Sequence, residues 1–254
     1  MSRPSMRRLI AAASRRTAVG RWVAGQLTVP GTQEVLRAEW HWYIDRVGPG
    51  MTVFDIGAND GLNSILFSNL VGESGAVWAF EPGRNAFRRL RRSIAAQRAA
   101  NVRPIKAAVA VREGRAWLHV YAEAHDTKSS LFERSVAEVQ QTPIGVEQVR
   151  TITLDRFCRN RAIERIDVLK IDAEGAEMQV LLGGRGLLEA KRIGCCLFEI
   201  GQTTIDAGTT PQAIFEYLAQ LGYRVAPLTG PRRLLARLRG QQRVPFLMVV
   251  AEPA

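Results

Sequence analysis

The chain has 254 residues, 46% apolar and 23% charged, with 22 glycines in no triplet period. That is enough for one sizeable core, and it excludes disorder and collagen-like structure. The net charge is +11, and six arginines with no acid fall within residues 1–33. No uncharged run exceeds twelve residues, so a membrane-spanning helix is excluded. Cys158, Cys195 and Cys196 are too few and too badly spaced for a disulfide framework or a zinc site, which fits a reducing, cytoplasmic compartment.

In residues 1–25, Met6, Leu9, Ile10 and Ala13 recur at helical spacing, with Arg7, Arg8, Arg15 and Arg16 beside them. The apolar stretch Leu9–Ala13 is shorter than the roughly 7–15 residues of a secretory signal. The segment reads as a basic helix making peripheral contact with an anionic membrane, or as a helix covering one end of the core. Residues 1–48 are taken as a basic N-terminal helical extension and 49–254 as one domain.

Met51–Ile56 and Ala76–Phe80 are apolar runs expected as buried strands. Between them, Leu62, Ile65, Leu66 and Leu70 share one helical face. Arg84–Arg98 predicts a helix with a basic outer face, and Val102–Val109 a third strand. Arg115–Tyr121 alternates, with Trp117, His119 and Tyr121 opposite Ala116, Leu118 and Val120, as in a two-faced antiparallel strand. Val149–Leu154 predicts a strand followed by a short helix to about Ile163. Ile166–Ile171 then predicts a strand, Ala176–Leu188 a helix and Cys195–Ile200 a strand.

Pro211 opens a helix carrying Ile214, Tyr217, Leu218 and Leu221 on one face. Tyr223–Pro227 and Pro245–Ala251 close the chain as an antiparallel pair with no helix between them. Strands separated by helices imply a mostly parallel α/β sheet with right-handed crossovers.

The first strand runs into the turn Asp55-Ile56-Gly57-Ala58-Asn59-Asp60-Gly61. Its glycines allow a tight bend and close approach of a ligand to the backbone, and the helix that follows presents its positive end. The pattern is G-x-N-x-G, not the dinucleotide G-x-G-x-x-G, and an acid stands two residues before the first glycine. Asp55 suits a ligand with an ammonium as well as a carboxylate. Glu81 ends the adjacent strand, where a carboxylate accepts both hydroxyls of a ribose. An amino acid and a ribose together describe S-adenosylmethionine. Lys170-Ile171-Asp172-Ala173-Glu174-Gly175-Ala176-Glu177 places a second acidic group at the same sheet edge. Asp172 is read there as functional, Glu177 as a helix-terminus charge, and Lys170 as a partner for one of the acids.

The set VFDIGANDG (53–61), AFEP (79–82), TLD (153–155), LKIDAEGAE (169–177) and LFEI (197–200) resembles the FkbM-type family of S-adenosylmethionine-dependent methyltransferases over about residues 50–200. The resemblance implies a Rossmann-like class I methyltransferase fold: a mostly parallel seven-stranded sheet with an antiparallel C-terminal hairpin. It implies S-adenosylmethionine as cofactor and O-methylation of a hydroxyl on a sugar, glycolipid or secondary-metabolite acceptor. Carried across, Asp55, Gly57, Asn59, Gly61, Glu81 and Pro82 would line the cofactor site. Asp172 and Glu174 would face the sulfonium and the acceptor. The chain departs from many relatives at Asp60 and at Leu62-Asn63. The Ser129-Ser130 pair resembles a serine-rich loop of the family.

Transfer to a neutral hydroxyl benefits from a base within hydrogen-bond reach. The candidates, in order, are Asp172, Glu174, His125 in the loop Glu123–Ser130, and Glu199. His41 and His119 sit among aromatic residues and read as packing. No spacing suggests a transition-metal site, though Asp172 and Glu174 leave room for a loosely held Mg²⁺. Two other enzyme classes stay open: an NAD(P)-dependent oxidoreductase on a similar sheet, and a nucleic-acid methyltransferase. Arg84, Arg88, Arg91, Arg92, Arg98 and Arg103 would serve the latter electrostatically. Against it, the chain has no N-P-P-Y or D-P-P-Y clamp for a flipped base.

Overall fold

A computed structural model describes residues 33–121, 130–131, 143–231, 233–236, 238, 241 and 244–254. The proposed arm helix of residues 1–25, His125 and Ser129 lie outside the described residues.

Helix α1 (Gln33–Arg46) precedes β1 (Thr52–Ile56), α2 (Leu62–Val71), β2 (Ala76–Phe80) and α3 (Arg84–Gln97). Next come β3 (Val102–Ile105), β4 (Ala108–Val109), β5 (Gly114–Val120) and β6 (Gly145–Ile152). The chain continues through α4 (Leu154–Asn160), β7 (Ile166–Ile171), α5 (Glu177–Gly183), α6 (Arg185–Glu189) and β8 (Ile193–Ile200). It ends with α7 (Gln202–Asp206), α8 (Pro211–Gln220), β9 (Tyr223–Pro227), α9 (Arg233–Ala236) and β10 (Leu247–Pro253).

Seven strands form one sheet in the order β3-β2-β1-β7-β8-β10-β9. All neighbours are parallel except β10, which runs antiparallel to both β8 and β9. The order reverses at β1, so the carboxyl ends of β1, β2 and β7 open a crevice there. Their near-continuous apolar runs follow from burial on both faces. One face packs Phe54, Phe80, Ile171 and Phe198 against α4, α5, α6 and α8. The other packs Val53, Val77, Val168 and Leu197 against α1, α2 and α3. Tyr43 and Val47 anchor the α1 end in this second core, with Tyr43 edge-on to Phe67 at 4.7 Å.

Local chemistry sets several element ends. Thr210 caps α8 by accepting from Ala213 N at 3.1 Å, with Pro211 just inside the helix. In the TLD segment, Thr153 Oγ1 accepts from Arg156 N at 3.3 Å. Asp155 reaches 31 residues on and accepts from Gly186 N and Leu187 N, at 2.8 and 3.0 Å, at the start of α6.

Three expectations need correction. The strand expected over Val102–Val109 is two strands in different sheets. Pro104 has no N–H to donate, which suits β3 to the sheet edge, and past Lys106 the chain leaves as β4 for a small sheet ordered β4-β6-β5. The single helix expected over Ala176–Leu188 is α5 and α6. A Cβ on Gly183 would lie 2.3 Å from the Ala110 carbonyl oxygen, so the chain passes close to the small sheet there and restarts at Arg185. The C-terminal strands are joined through the one-turn helix α9, and β10 inserts between β8 and β9.

Phe157 of α4 packs at ring-centroid distances of 4.9–5.8 Å against Phe54, Trp78 and Phe80. Replacing Phe157 with Ala will cost about 3–5 kcal/mol in urea unfolding.

Candidate active site

A cavity of about 610 Å³ opens at the carboxyl ends of β1, β2 and β7. Its walls divide by chemistry. One side is apolar, from Phe80, Ala107, Ala108, Val109, Leu118 and Leu131. The other carries Glu39, Asp172, Glu174 and Glu199, with Lys170 at the floor. Gly57, Asn59, Glu81 and Pro82 line it as well.

The turn after β1 is held from beneath. Gly57 N and Ala58 N both donate to Phe80 O at 3.0 Å, and Asn59 N donates to Glu81 Oε2 at 2.9 Å. Gly57 has φ +75°, and a Cβ there would lie 1.9 Å from Asp172 O; only glycine lets β1 and β7 meet so closely. Gly61, at φ +91°, faces Leu90 of α3 and not the cavity. Asp60 Oδ1 accepts from Leu62 N at 3.3 Å, so this residue, unusual beside the family pattern, ties down the start of α2.

Asp55 differs from its expected place. Its carboxylate is fully buried, accepts from Ser64 Oγ at 2.6 Å and pairs with Lys170 Nζ at 3.1 Å. It lies under the turn and is not among the cavity-lining residues. Lys170 Nζ also lies 3.3 Å from Asp172 Oδ2 and donates to Gly57 O at 3.1 Å. Burial alone would push the Lys170 pKa down, but Asp55, Asp172 and Glu39 overcome it and hold the pKa above the ordinary lysine value.

Glu81 is 7% exposed, with Oε1 accepting from Gly83 N at 2.8 Å. Two backbone donors thus aim its carboxylate. Pro82 follows it on the rim.

Glu174 has φ +49°, and its carbonyl accepts from Ser130 Oγ at 2.7 Å. The Ser130 half of the serine pair therefore positions the acidic loop through the backbone. Glu177 is 1% exposed, and its Oε1 accepts from Ala173 N and Gly175 N. Burial pushes its carboxyl up to about 7.

Sequence reasoning missed Glu39 and Arg89. Glu39 accepts the Tyr43 hydroxyl within α1 and reaches the cavity from 16 residues before Asp55. Arg89 Nη2 donates to Asn59 Oδ1 at 3.1 Å. Its helical spacing from Ala86 and Ser93 was the available signal, for it puts Arg89 on the inward side of an otherwise basic helix. Among the described residues no group of three or more potential ligands could hold a metal ion, and no helix is long and apolar enough to cross a membrane.

A doubly wound sheet with a glycine turn, an aimed carboxylate on the next strand and acids on the third defines a Rossmann-like class I methyltransferase fold. A model of the methyltransferase FkbM domain matches residues 55–225, and the chain belongs to that family, whose methyl donor is S-adenosylmethionine. A 2-O-methyltransferase, NoeI of Sinorhizobium fredii (strain NBRC 101917 / NGR234), is 28% identical over 155 residues, covering 57% of this chain and 61% of the relative. The match thus spans about three-fifths of that relative's length. Among solved structures, a candidate rRNA methylase from Clostridium thermocellum aligns at TM-score 0.50 and 15% identity, over 85% of this chain and 94% of that one. Methyltransferase FkbM from Methylobacillus flagellatus KT aligns at TM-score 0.49 and 12% identity, over 96% of this chain and 57% of that one.

Two outcomes follow from the buried charges. Lys170→Met strands Asp55 in the interior and will destabilise the fold by about 3–5 kcal/mol in denaturant titration. The Glu177 carboxyl titrates higher folded than unfolded, so its contribution is full below about pH 4.5 and is lost as pH rises through about 7. Glu177→Gln should therefore gain on wild type between pH 5 and 8, by on the order of 1–3 kcal/mol, in melting curves taken across that range.

Proposed function

We propose that the chain binds S-adenosylmethionine in this crevice and methylates a hydroxyl on a sugar, glycolipid or secondary-metabolite acceptor. The observation that carries the reading is the Glu81 carboxylate, aimed by Asn59 N and Gly83 N between the apolar slot and the acidic end. A carboxylate only accepts, and a ribose diol offers two donors.

The cavity volume lies within the range of small-molecule sites, and its apolar slot is suited to a purine ring. Gly57 and Asn59 supply backbone for close approach, and Pro82 borders the slot. Asp55 and Gly61 serve this site indirectly, through the shape of the turn and its junction with α3. At the far end Asp172 and Glu174 complement a ligand bearing two positive charges and one negative.

When bound, S-adenosylmethionine supplies a methyl group on a sulfonium, already a strong electrophile. The chain's own task is to hold an acceptor oxygen in line with that methyl, at about 3–3.5 Å, and to exclude water. Carboxylates at the acceptor end accept from sugar hydroxyls and so orient them. The 2-O-methyltransferase relative supports oxygen as the acceptor atom. The same acids oppose an incoming phosphodiester, which weighs against a nucleic-acid acceptor despite the basic face of α3.

Calorimetric titration of the full chain with S-adenosylhomocysteine should show saturable binding at one site. Glu81→Gln keeps one acceptor and should weaken it by about tenfold, or 1.4 kcal/mol. Absence of heat with the wild-type chain would overturn the cofactor reading. Unchanged affinity in Glu81→Gln would remove Glu81 from the ribose site.

A further inference from the structure

We infer that Glu199, and not Asp172, takes the proton of the acceptor hydroxyl during methyl transfer. This rests on the cofactor reading above and adds the identity of the base.

Asp172 is bound to the floor of the crevice. Its Oδ2 lies 3.3 Å from an ammonium that is 2% exposed and also paired with Asp55. That contact commits an Asp172 oxygen to the floor of the crevice. Glu39 accepts the Tyr43 hydroxyl, and Glu177 is fully buried and turned toward two backbone N–H groups.

Glu199 differs from all three. It lines the crevice near the end of β8, and among the described residues no hydrogen-bond donor or cation pairs with it. Ile171 and Phe198 are register partners, so Asp172, just past the end of β7, and Glu199 of β8 each follow one residue later. The charges that act on Glu199 are those of Asp172 and Glu174 in the loop after β7, Glu177 of α5 and Glu39 of α1. On β10 its partner is Met248, and in α7 Gln202 Nε2 donates to Asp206 at 3.3 Å. Lys170, the buried cation of the crevice floor, is already shared between Asp55 and Asp172. Burial first, and then these four acids, raise the Glu199 carboxyl well above the usual carboxylate range.

The step balances. The acceptor O–H proton passes to a Glu199 carboxylate oxygen while the O–CH3 bond forms. The S–CH3 bond breaks with its electron pair staying on sulfur, and the proton leaves Glu199 to water after product release. A sulfonium in the crevice favours ionised Glu199 before the step, because an adjacent positive charge lowers a carboxyl pKa.

That linkage gives a test that needs no acceptor. The full chain is titrated near pH 7 with S-adenosylmethionine and with S-adenosylhomocysteine, each in two buffers of different ionisation enthalpy. The charged ligand should release more protons than the neutral one, by up to about one per site. Glu199→Gln should abolish the difference and Glu199→Asp should keep it. Both should bind S-adenosylhomocysteine within a few-fold of wild type, which reports folding and the cofactor site separately.

With whichever methyl glycosides the wild type accepts, Glu199→Gln should lose about 10²–10⁴-fold in kcat at little cost in KM for the donor. Asp172→Asn should keep the rise of kcat with pH. Proton release that persists in Glu199→Gln, or a kcat that no longer rises with pH in Asp172→Asn, overturns the assignment. Failure of S-adenosylhomocysteine to bind the wild type overturns the cofactor reading, and the base assignment falls with it.

Discussion

The crevice depends on one buried cation. Lys170 joins the carboxyl ends of β1 and β7 through Asp55, Asp172 and the Gly57 carbonyl. The cost of burying an ammonium and a carboxylate is recovered only when both are present with good geometry, so neither Lys170 nor Asp55 can be altered alone. Ser64 completes the set from α2, which fixes that helix over the same strand ends. Because Gly57 presses on the Asp172 carbonyl, the floor is backbone pressed against backbone. A side chain at Gly57 would wedge the two strands apart.

From that floor the crevice is polarised by its walls. The apolar side is built by β2, by β4 and by Leu118 from the small sheet. The small sheet is therefore part of the pocket, although it shares no strand with the main sheet. The acidic side is assembled from three distant places: the loop after β7, the end of β8, and α1. Helix α1 reaches the site because Tyr43 and Val47 sink into the core formed with Phe67 and Val53. Tyr43 then presents its hydroxyl to Glu39 one turn earlier, so the packing of the helix and the aim of its carboxylate share one contact.

The parts of the fold legible in the sequence were those whose cause is local. β1, β2, β7 and β8 are apolar runs because parallel strands are covered on both faces, and their bounds lay within about two residues of expectation. Glu81 and Asp172 were legible for the same reason, since a strand end in a parallel sheet has only one place to point. The break between β3 and β4 depends on which sheet the chain joins after Lys106, and the break at Gly183 on the Ala110 carbonyl from another segment. Neither leaves a periodic trace. Asp55 was placed on the right turn but in the wrong environment. Its partner Lys170 stands 115 residues on, and the sequence offered Lys170 as a partner for an acid without showing that Asp55 was the one. Glu39 carried no signal, because its importance arises only when α1 docks.

Net charge and local charge point in opposite directions here. The chain is strongly basic, and α3 exposes Arg84, Arg88, Arg91 and Arg92 without an acid among its residues. Those charges stand in water, where interactions beyond a Debye length of about 8 Å are largely screened at physiological salt. The acids of the crevice line one cavity at the sheet edge, where part of the solvent is displaced and an equal charge acts more strongly. For a ligand in the crevice the near field decides, and it is negative. The arginine surface governs only what approaches the protein from a distance. A cationic methyl donor and a neutral polyhydroxylated acceptor satisfy the interior, while an anion drawn in by α3 would meet the Asp172 carboxylate on entering the crevice.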